Sequence, residues 1–327
     1  MNLSVMKKTI DKALLKKLII GTTAALLAVF GYFIWKKMNP VDVIKSIPIG
    51  DFTNPPTFSH NIYGDSASPF VMPLGVAVRD GEVYVSDSEG GFIQVFDYNG
   101  KHLRTIGDKK SKTPLKNPYG MAFYDGNLYV ADGGQGKILI YAANGEYKGQ
   151  FAPQGQRIGA PGQLLIQDNK LMFTDIAQRK VFVYNMSGQL LLSFGERGSQ
   201  EGQFEYPHGL AVDKKGNFYV ADSGNNRIQV FDANGKFVKI LGKDANNSGT
   251  VVTPRGLAFD NRGNLYVVAG LESRVFVFDE KGTVKFTFSQ LADKDIQLGL
   301  PNGIAIDSNN RIFVSETTPG RLSVFKY

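Results

Sequence analysis

Residues 207–242 read PHGLAVDKKGNFYVADSGNNRIQVFDANGKFVKILG. Four short apolar runs stand in this stretch, GLAVD, NFYVAD, RIQVFD and KFVKILG, and each is closed by turn chemistry. Alternation over four to six residues with β-branched and aromatic side chains is the pattern of half-buried strands. Lys215-Gly216 lies between the first two runs and Asn234-Gly235 between the last two. Asn-Gly is a strong hairpin signal because both residues tolerate positive φ. The stretch therefore predicts a four-stranded antiparallel meander, with strands a, b, c and d in chain order.

The same pattern recurs from a proline at Pro73, Pro118, Pro161, Pro207, Pro254 and Pro301, spaced by 45, 43, 46, 47 and 47 residues. Asp80-Gly81, Asp125-Gly126 and Arg262-Gly263 punctuate a to b, and Asn99-Gly100, Asn144-Gly145, Ser187-Gly188 and Lys281-Gly282 punctuate c to d. A period of this length fits one four-stranded blade, so the chain is predicted to be all-β, a six-bladed β-propeller over 73–327. The sixth repeat stops at Tyr327 after strand c. Residues 43–49, VIKSIPI, resemble KFVKILG and are expected to supply the missing strand, closing the ring with both termini and leaving no bare edge. Pro48 is tolerable there because the outermost strand is an edge.

The repeat at Pro207, with GERGSQEGQF before it, resembles the NHL repeat. The resemblance covers about residues 41–327 and implies the six-bladed fold. It leaves function open, since NHL-like propellers serve as protein- or RNA-binding modules, as extracellular sensors behind one membrane helix, and as relatives of hydrolases and lyases. The layout is most similar to that of membrane-anchored bacterial members.

That layout comes from the N-terminus. Residues 18–35, LIIGTTAALLAVFGYFIW, are uncharged and as a helix span roughly 27 Å, enough for a hydrocarbon core. Five lysines precede them (7, 8, 12, 16, 17), Lys36 and Lys37 follow, and Tyr32 and Trp35 mark the interface. The lysine bias keeps residues 1–17 cytoplasmic and the rest outside. A cleaved signal peptide is disfavoured because the stretch ends in GYFIWKK, without a small-x-small site. The expected order is a basic tail (1–17), a transmembrane signal anchor (18–35), a linker with the closing strand (36–72) and the propeller (73–327), placed at the cell membrane as a single-pass protein.

The net charge of +7 has its source in this flank: residues 1–40 hold seven lysines and one aspartate, and the other 287 residues carry 30 bases against 29 acids. A near-neutral propeller outside the cytoplasm has no field for a polyanion, so nucleic acid is not an expected partner. With no cysteine, disulfides, thiolate metal sites and cysteine nucleophiles are excluded.

Strand a is the innermost of a blade, so the residue after each proline should gather at one mouth of the central channel. These are Leu74, Tyr119, Gly162, His208, Arg255 and Asn302. His208, Arg255 and Asn302, from neighbouring blades, form a polar arc, with Tyr119 across the channel. As ligand-binding candidates, Arg255 offers a donor fork for carboxylate or phosphate, Asn302 a donor and an acceptor, and His208 a charge that switches between about pH 5 and 8. The plain alternative is a solvated opening. Strand b ends in Asp87, Asp132, Asp175, Asp222, Ala269 and Glu316; five residues on stand Phe92, Lys137, Lys180, Arg227, Arg274 and Arg321. Acid and base at matched places predict a structural staple, leaving Asp87 and Arg274 as the unpaired members that invite a functional reading.

Two catalytic templates of the family fit poorly. NHL-like amidating lyases hold zinc with three Pro-His histidines; here only His208 follows a proline, His60 lies in the linker and His102 in an outer strand. Gluconolactonase-like propellers hold a divalent cation with Glu, Asn and Asp; Pro301-Asn302-Gly303 matches one element, and Arg255 would repel the metal. No catalytic residue, cofactor or metal is assigned. The leading expectation is a membrane-tethered extracytoplasmic binding, scaffold or sensor module for a protein, peptide or cell-envelope polymer. The alternative is a propeller hydrolase or lyase with its site at the channel mouth.

Overall fold

The structure is a computed structural model that describes residues 55–241, 251–289 and 297–327. Blade 1 comprises β2 (Pro73–Arg79), β3 (Glu82–Asp87), β4 (Phe92–Asp97) and β5 (His102–Ile106). Blade 2 comprises β6 (Pro118–Tyr124), β7 (Asn127–Asp132), β8 (Lys137–Ala142) and β9 (Tyr147–Gln150). Blade 3 comprises β10 (Pro161–Gln167), β11 (Lys170–Asp175), β12 (Lys180–Asn185) and β13 (Leu190–Phe194). Blade 4 comprises β14 (Pro207–Val212), β15 (Phe218–Asp222), β16 (Arg227–Phe231) and β17 (Phe237–Leu241). Blade 5 comprises β18 (Pro254–Phe259), β19 (Leu265–Ala269), β20 (Arg274–Phe278) and β21 (Val284–Phe288). Blade 6 takes β22 (Pro301–Ile306), β23 (Ile312–Glu316) and β24 (Arg321–Lys326) from the C-terminus and β1 (Thr57–Tyr63) from the N-terminal side. The inner strands touch in turn, and β22 returns to β2, so six blades close a ring.

The closing strand is a correction in detail. An N-terminal strand does complete blade 6, but it is Thr57–Tyr63, antiparallel to β24 from Thr57 opposite Lys326 to Tyr63 opposite Arg321. Residues 43–49, expected in that place, lie outside the described residues, as does the predicted membrane segment. Among the described residues no helix is long and apolar enough to cross a membrane.

Alternation within strand b builds the core. Val83 and Val85 face blade 6, whereas Tyr84, between them, faces blade 2. The same division repeats around the ring, giving six apolar clusters, one in each gap between blades. Sheets buried on both faces explain the unbroken apolar runs of strands b and c.

The turns obey two chemistries. Asp80-Gly81 and Asp125-Gly126 both take positive φ at each residue, as a two-residue turn requires. The c–d turns differ from the expectation, because Gly100 and Gly235 take positive φ while Asn99 and Asn234 do not. There the strand-ending Asp97 or Asp232 accepts the amide two residues on and the amide four residues on, so the carboxylate and not the asparagine organises the loop.

The acid ending strand b is a clamp. Asp175 accepts the N–H groups of Gly159 and Ala160, just before Pro161, and of Gln178. Asp132 does the same for Lys116, Asn117 and Gln135. Asp87 holds Val71, Met72 and Gly90, so it is fully used in structure and the functional reading of it falls. The acid–base pairing is narrower than the spacing implies: ion pairs form between Asp222 and Arg227 (2.8 Å) and between Glu316 and Arg321 (2.9 Å), and Lys137 and Lys180 stay out. Blade 5, with Ala269 in the acid's place, uses Glu272 to accept the Val252 N–H at 2.7 Å. Arg274 is exposed, its Nε–H reaching only the Glu272 carbonyl at 3.4 Å.

Two outcomes test this architecture. A chain beginning at Gly64 lacks β1, strips the partner from β24 and uncovers Ile62's place in the blade 6–1 core; its thermal midpoint should fall by roughly 10 °C or more, with aggregation by light scattering, against a chain beginning at Pro55. Equal midpoints would show that β1 does not close the ring. Asp175→Ala leaves three part-buried N–H groups and a buried side-chain site without the carboxylate and should cost about 3 kcal/mol in denaturant unfolding, whereas Arg274→Ala should stay within about 0.5 kcal/mol.

Candidate functional site

The channel mouth is built by a bulge repeated at the start of strand a. In blade 4 Pro207 pairs with Asp222 and the ladder resumes only at Leu210 opposite Val220, so His208 and Gly209 stand outside it. Blades 5 and 6 break in the same place, between Pro254 and Leu257 and between Pro301 and Ile304. A bulge re-aims a side chain, here towards the axis. The glycine after it is required by space, since a Cβ on Gly209 would sit 2.0 Å from the Arg255 carbonyl oxygen of the next blade. Hydroxyls on strand b fix the bulges from the neighbouring blade: Ser86 donates to the Tyr119 carbonyl at 2.7 Å, Thr174 to that of His208 at 2.9 Å, and Ser315 to that of Leu74 at 2.8 Å.

Five of the six predicted mouth residues meet around one cavity of about 420 Å³: Leu74, Tyr119, His208, Arg255 and Asn302. Gly162 is buried beside them but does not line it. A second opening of about 490 Å³ shares His208, Thr253 and Arg255 and continues past Tyr206 and Asn226. His208 and Arg255 therefore form the shared wall of an elongated depression running from the axis over blades 4 and 5.

Arg255 Nη1 donates to His208 Nε2 at 2.7 Å. His208 Nδ1–H is directed at the Tyr206 carbonyl (2.9 Å) and Ser223 Oγ (3.1 Å), and Ser223 Oγ donates to the Pro254 carbonyl. A ring nitrogen that accepts from a guanidinium carries no proton, so His208 is the neutral Nδ1–H tautomer. Burial, and then the Arg255 charge, push its pKa down to about 4. This corrects the expected titration between pH 5 and 8. Asn302 Nδ2 donates to the Leu300 carbonyl (3.1 Å) and to Thr317 Oγ1 (2.5 Å), leaving its carbonyl oxygen as the available acceptor. Tyr119 is almost wholly buried, its ring centroid 6.2 Å from that of His208, and burial raises its pKa.

The polar arc differs from the bland arc in its backbone. Tyr206, Thr253 and Leu300, which precede the prolines of blades 4, 5 and 6, adopt φ of 59°, 50° and 45°. Left-handed conformations on non-glycine residues cost about 1–3 kcal/mol each and gather at sites where the surroundings impose them. Here the acid clamp holds the residue before each one, through the N–H groups of Glu205, Val252 and Gly299. Asn226 Oδ1 adds a bond to the Thr253 N–H. Where blades 4 and 6 place Ser223 and Thr317, blade 5 has Gly270 beside the Arg255 stem; a Cβ there would make only an ordinary contact, 3.4 Å from Arg255 Cγ.

Sequence reasoning missed Leu271, Leu300, Thr253 and Thr317 in the lining. Their signal was a register, since each stands one residue before a blade-start proline or one or two after the end of strand b. Of the three histidines, His60 lies in β1 and His102 in β5, both outermost strands, so only His208 reaches the axis. Among the described residues no three His, Asp or Glu side chains gather as a metal would need, and no Asp or Glu lines either opening.

Comparison with known proteins supports the repeat and the fold. The NHL repeat family matches residues 70–96 and 204–231. No curated protein matches the chain. Among solved structures, virginiamycin B lyase from Staphylococcus aureus is similar at 14% identity with a TM-score of 0.58, over 82% of this chain and 98% of that one. XC5397 of Xanthomonas campestris, a gluconolactonase, is similar at 18% identity and a TM-score of 0.61, over 84% and 95%. A chain of a nidogen/laminin complex is similar at 19% identity and a TM-score of 0.53, over 67% and 80%. At these identities the likeness is one of fold and carries no activity.

The partly buried, neutral His208 has a pH signature. Above about pH 6.5 it is uncharged whether the chain is folded or not. As pH falls from there to about 4 the unfolded chain takes a proton that the fold refuses, so stability is lost across that window. Unfolding free energy should therefore drop between pH 7 and 4.5 by about 2 kcal/mol more in the wild type than in His208→Gln. Parallel pH profiles would show that His208 is not held neutral.

Proposed function

We propose that this chain is a binding module tethered to the membrane by residues 18–35, with its propeller outside the cytoplasm and its ligand taken at the channel mouth over blades 4–6. The tether rests on the uncharged stretch and the lysine asymmetry of the sequence. The ligand site rests on Arg255: a partly buried guanidinium, braced by a neutral histidine, with no carboxylate within ion-pair distance among the described residues. A cation desolvated without a counter-charge is costly to the fold, and an anionic ligand supplies what is missing.

A hydrolase or lyase is the second reading, kept open by the fold shared with virginiamycin B lyase and XC5397. The donor set weighs against it. His208 has its Nε2 engaged by Arg255, and no carboxylate in the lining could serve as its acid or base partner.

The test uses the full chain in intact cells or spheroplasts, with p-benzoyl-phenylalanine at position 271 on the exposed rim. Added protease should digest the chain beyond Trp35. Irradiation should capture a partner whose yield falls at least about tenfold in Arg255→Ala, matching the roughly 1.5 kcal/mol low end for a hydrogen bond to a charged group. Protection until lysis would overturn the topology, and an undiminished yield would move binding from the axis to the broad loop face.

A further inference from the structure

Resting on that reading, we infer that the ligand is a polypeptide C-terminus: a chain-end carboxylate seated on Arg255, with an apolar last residue against the rim of the mouth. The first ground is which part of the guanidinium remains free. One of the two N–H donors of Nη1 goes to His208 Nε2. The Nε and Nη2 side makes no hydrogen bond to any described residue, and that side presents two parallel N–H donors with the spacing of a carboxylate's two oxygens. His208, by occupying Nη1, fixes the plane of the fork.

The second ground is charge. One guanidinium faces the cavity, and its histidine neighbour is neutral. A carboxylate monoanion is neutralised by this set. A phosphate monoester at neutral pH carries nearly two charges and three acceptor oxygens, and it would be left with unmatched charge. Asn302 Oδ1, with the amide's donors committed to Leu300 and Thr317, is an acceptor beside the fork. It suits a peptide N–H near the chain end.

The third ground is the rim. Leu271 is 67% exposed, Leu300 44% and Tyr206 47%; the first two line the axial cavity and the third lines the adjoining groove. Val71 and Val252, also exposed, precede their prolines by two residues. Large apolar side chains brought together around a cation, and held there by left-handed backbone at Tyr206 and Leu300, form a patch of the kind that marks interaction sites. The depression is elongated, with the axial cavity meeting a groove at the His208–Arg255 wall, so a chain has a path to continue outward from the carboxylate.

The experiment uses full-length protein in detergent micelles and fluorescently labelled tetrapeptides Gly-Ala-Ala-Leu and Gly-Ala-Ala-Gly, each as free acid and as C-terminal amide, read by anisotropy. The Leu-ended free acid should bind at least tenfold more tightly than its amide, and more tightly than the Gly-ended acid. Inorganic phosphate at millimolar concentration should not displace it. Arg255→Ala should bring acid and amide to the same weak affinity. Arg255→Lys, which keeps the charge and loses the fork, should lose most of the preference while retaining the wild-type melting temperature. Leu271→Ser with Leu300→Ser should erase the advantage of Leu over Gly. Equal binding of acid and amide, displacement by phosphate, or no binding of the free acid at millimolar peptide would each overturn the inference. If one of these occurs while the Arg255-dependent crosslink in cells persists, the mouth remains the ligand site and only the C-terminal carboxylate falls. Loss of both removes the mouth itself.

Discussion

Six strands brought together around one axis leave almost no room for side chains, and most of what distinguishes this propeller follows from that crowding. Gly209 shows the limit, since even a methyl group there would overlap the carbonyl of Arg255 in the next blade. The Pro-x-Gly sequence answers it in three parts. Proline starts the strand opposite the clamp residue, the bulge removes two residues from the ladder, and glycine lets the neighbouring backbone in. The side chain x then stands free of the ladder, and its direction is towards the mouth. Fold and site are thus one construction. Blade 3 departs from it by placing Gly162 at x and Gln163 where the others have glycine, and that is where the mouth presents no side chain.

Crowding at the axis would be of little use if the approach to it were loose. The clamp acid prevents this by pulling the last amides before each proline onto a carboxylate, buried in every blade but the fifth. In blades 1–3 it takes two consecutive amides, as with Gly159 and Ala160 on Asp175. In blades 4–6 it takes one, and the residue before proline rotates into the left-handed region. The bland and polar arcs therefore differ in backbone as well as in side chains. Blade 5 has Ala269 in the acid's place and makes the bond from Glu272, three residues along. The same amide, two residues before the proline, is thus held by a carboxylate in all three blades although the acid stands at a different place in blade 5.

Much of this was legible in the residues. The proline-initiated period located every strand a within the ring, and the position after proline named five of the residues that line the cavity. The misreadings have physical causes. Residues 43–49 carry the apolar rhythm of a fourth strand, whereas Thr57–Tyr63 carries Ser59, His60 and Asn61 in its middle. An outermost strand is half solvated and, here, bulged between Phe58 and His60, so its pattern is weak where its pairing is firm. The acid–base spacing is real, but it follows from both residues flanking the same b–c turn, and backbone amides take the acid before Lys137 or Lys180 can. The charge state of His208 depends on burial and on Arg255 across a blade boundary, neither of which one residue's context reveals.

The His208–Arg255 contact joins the two levels. A guanidinium on a long side chain loses rotamer freedom when it binds a ligand, and that loss weakens binding. Here the loss is taken during folding. His208 Nε2 fixes one end of the guanidinium, and Tyr206 and Ser223 fix His208 through Nδ1. His208 and Arg255 stand on β14 and β18, strands whose registers the ring enforces, and Tyr206 and Ser223 lie in the connections that adjoin β14 and β15. The neutrality of His208 is a requirement of this arrangement, because a protonated ring would have no lone pair for Arg255 and would set a second positive charge against it. The burial that depresses the histidine's pKa thus also keeps Nε2 without a proton and able to accept from Arg255 at physiological pH.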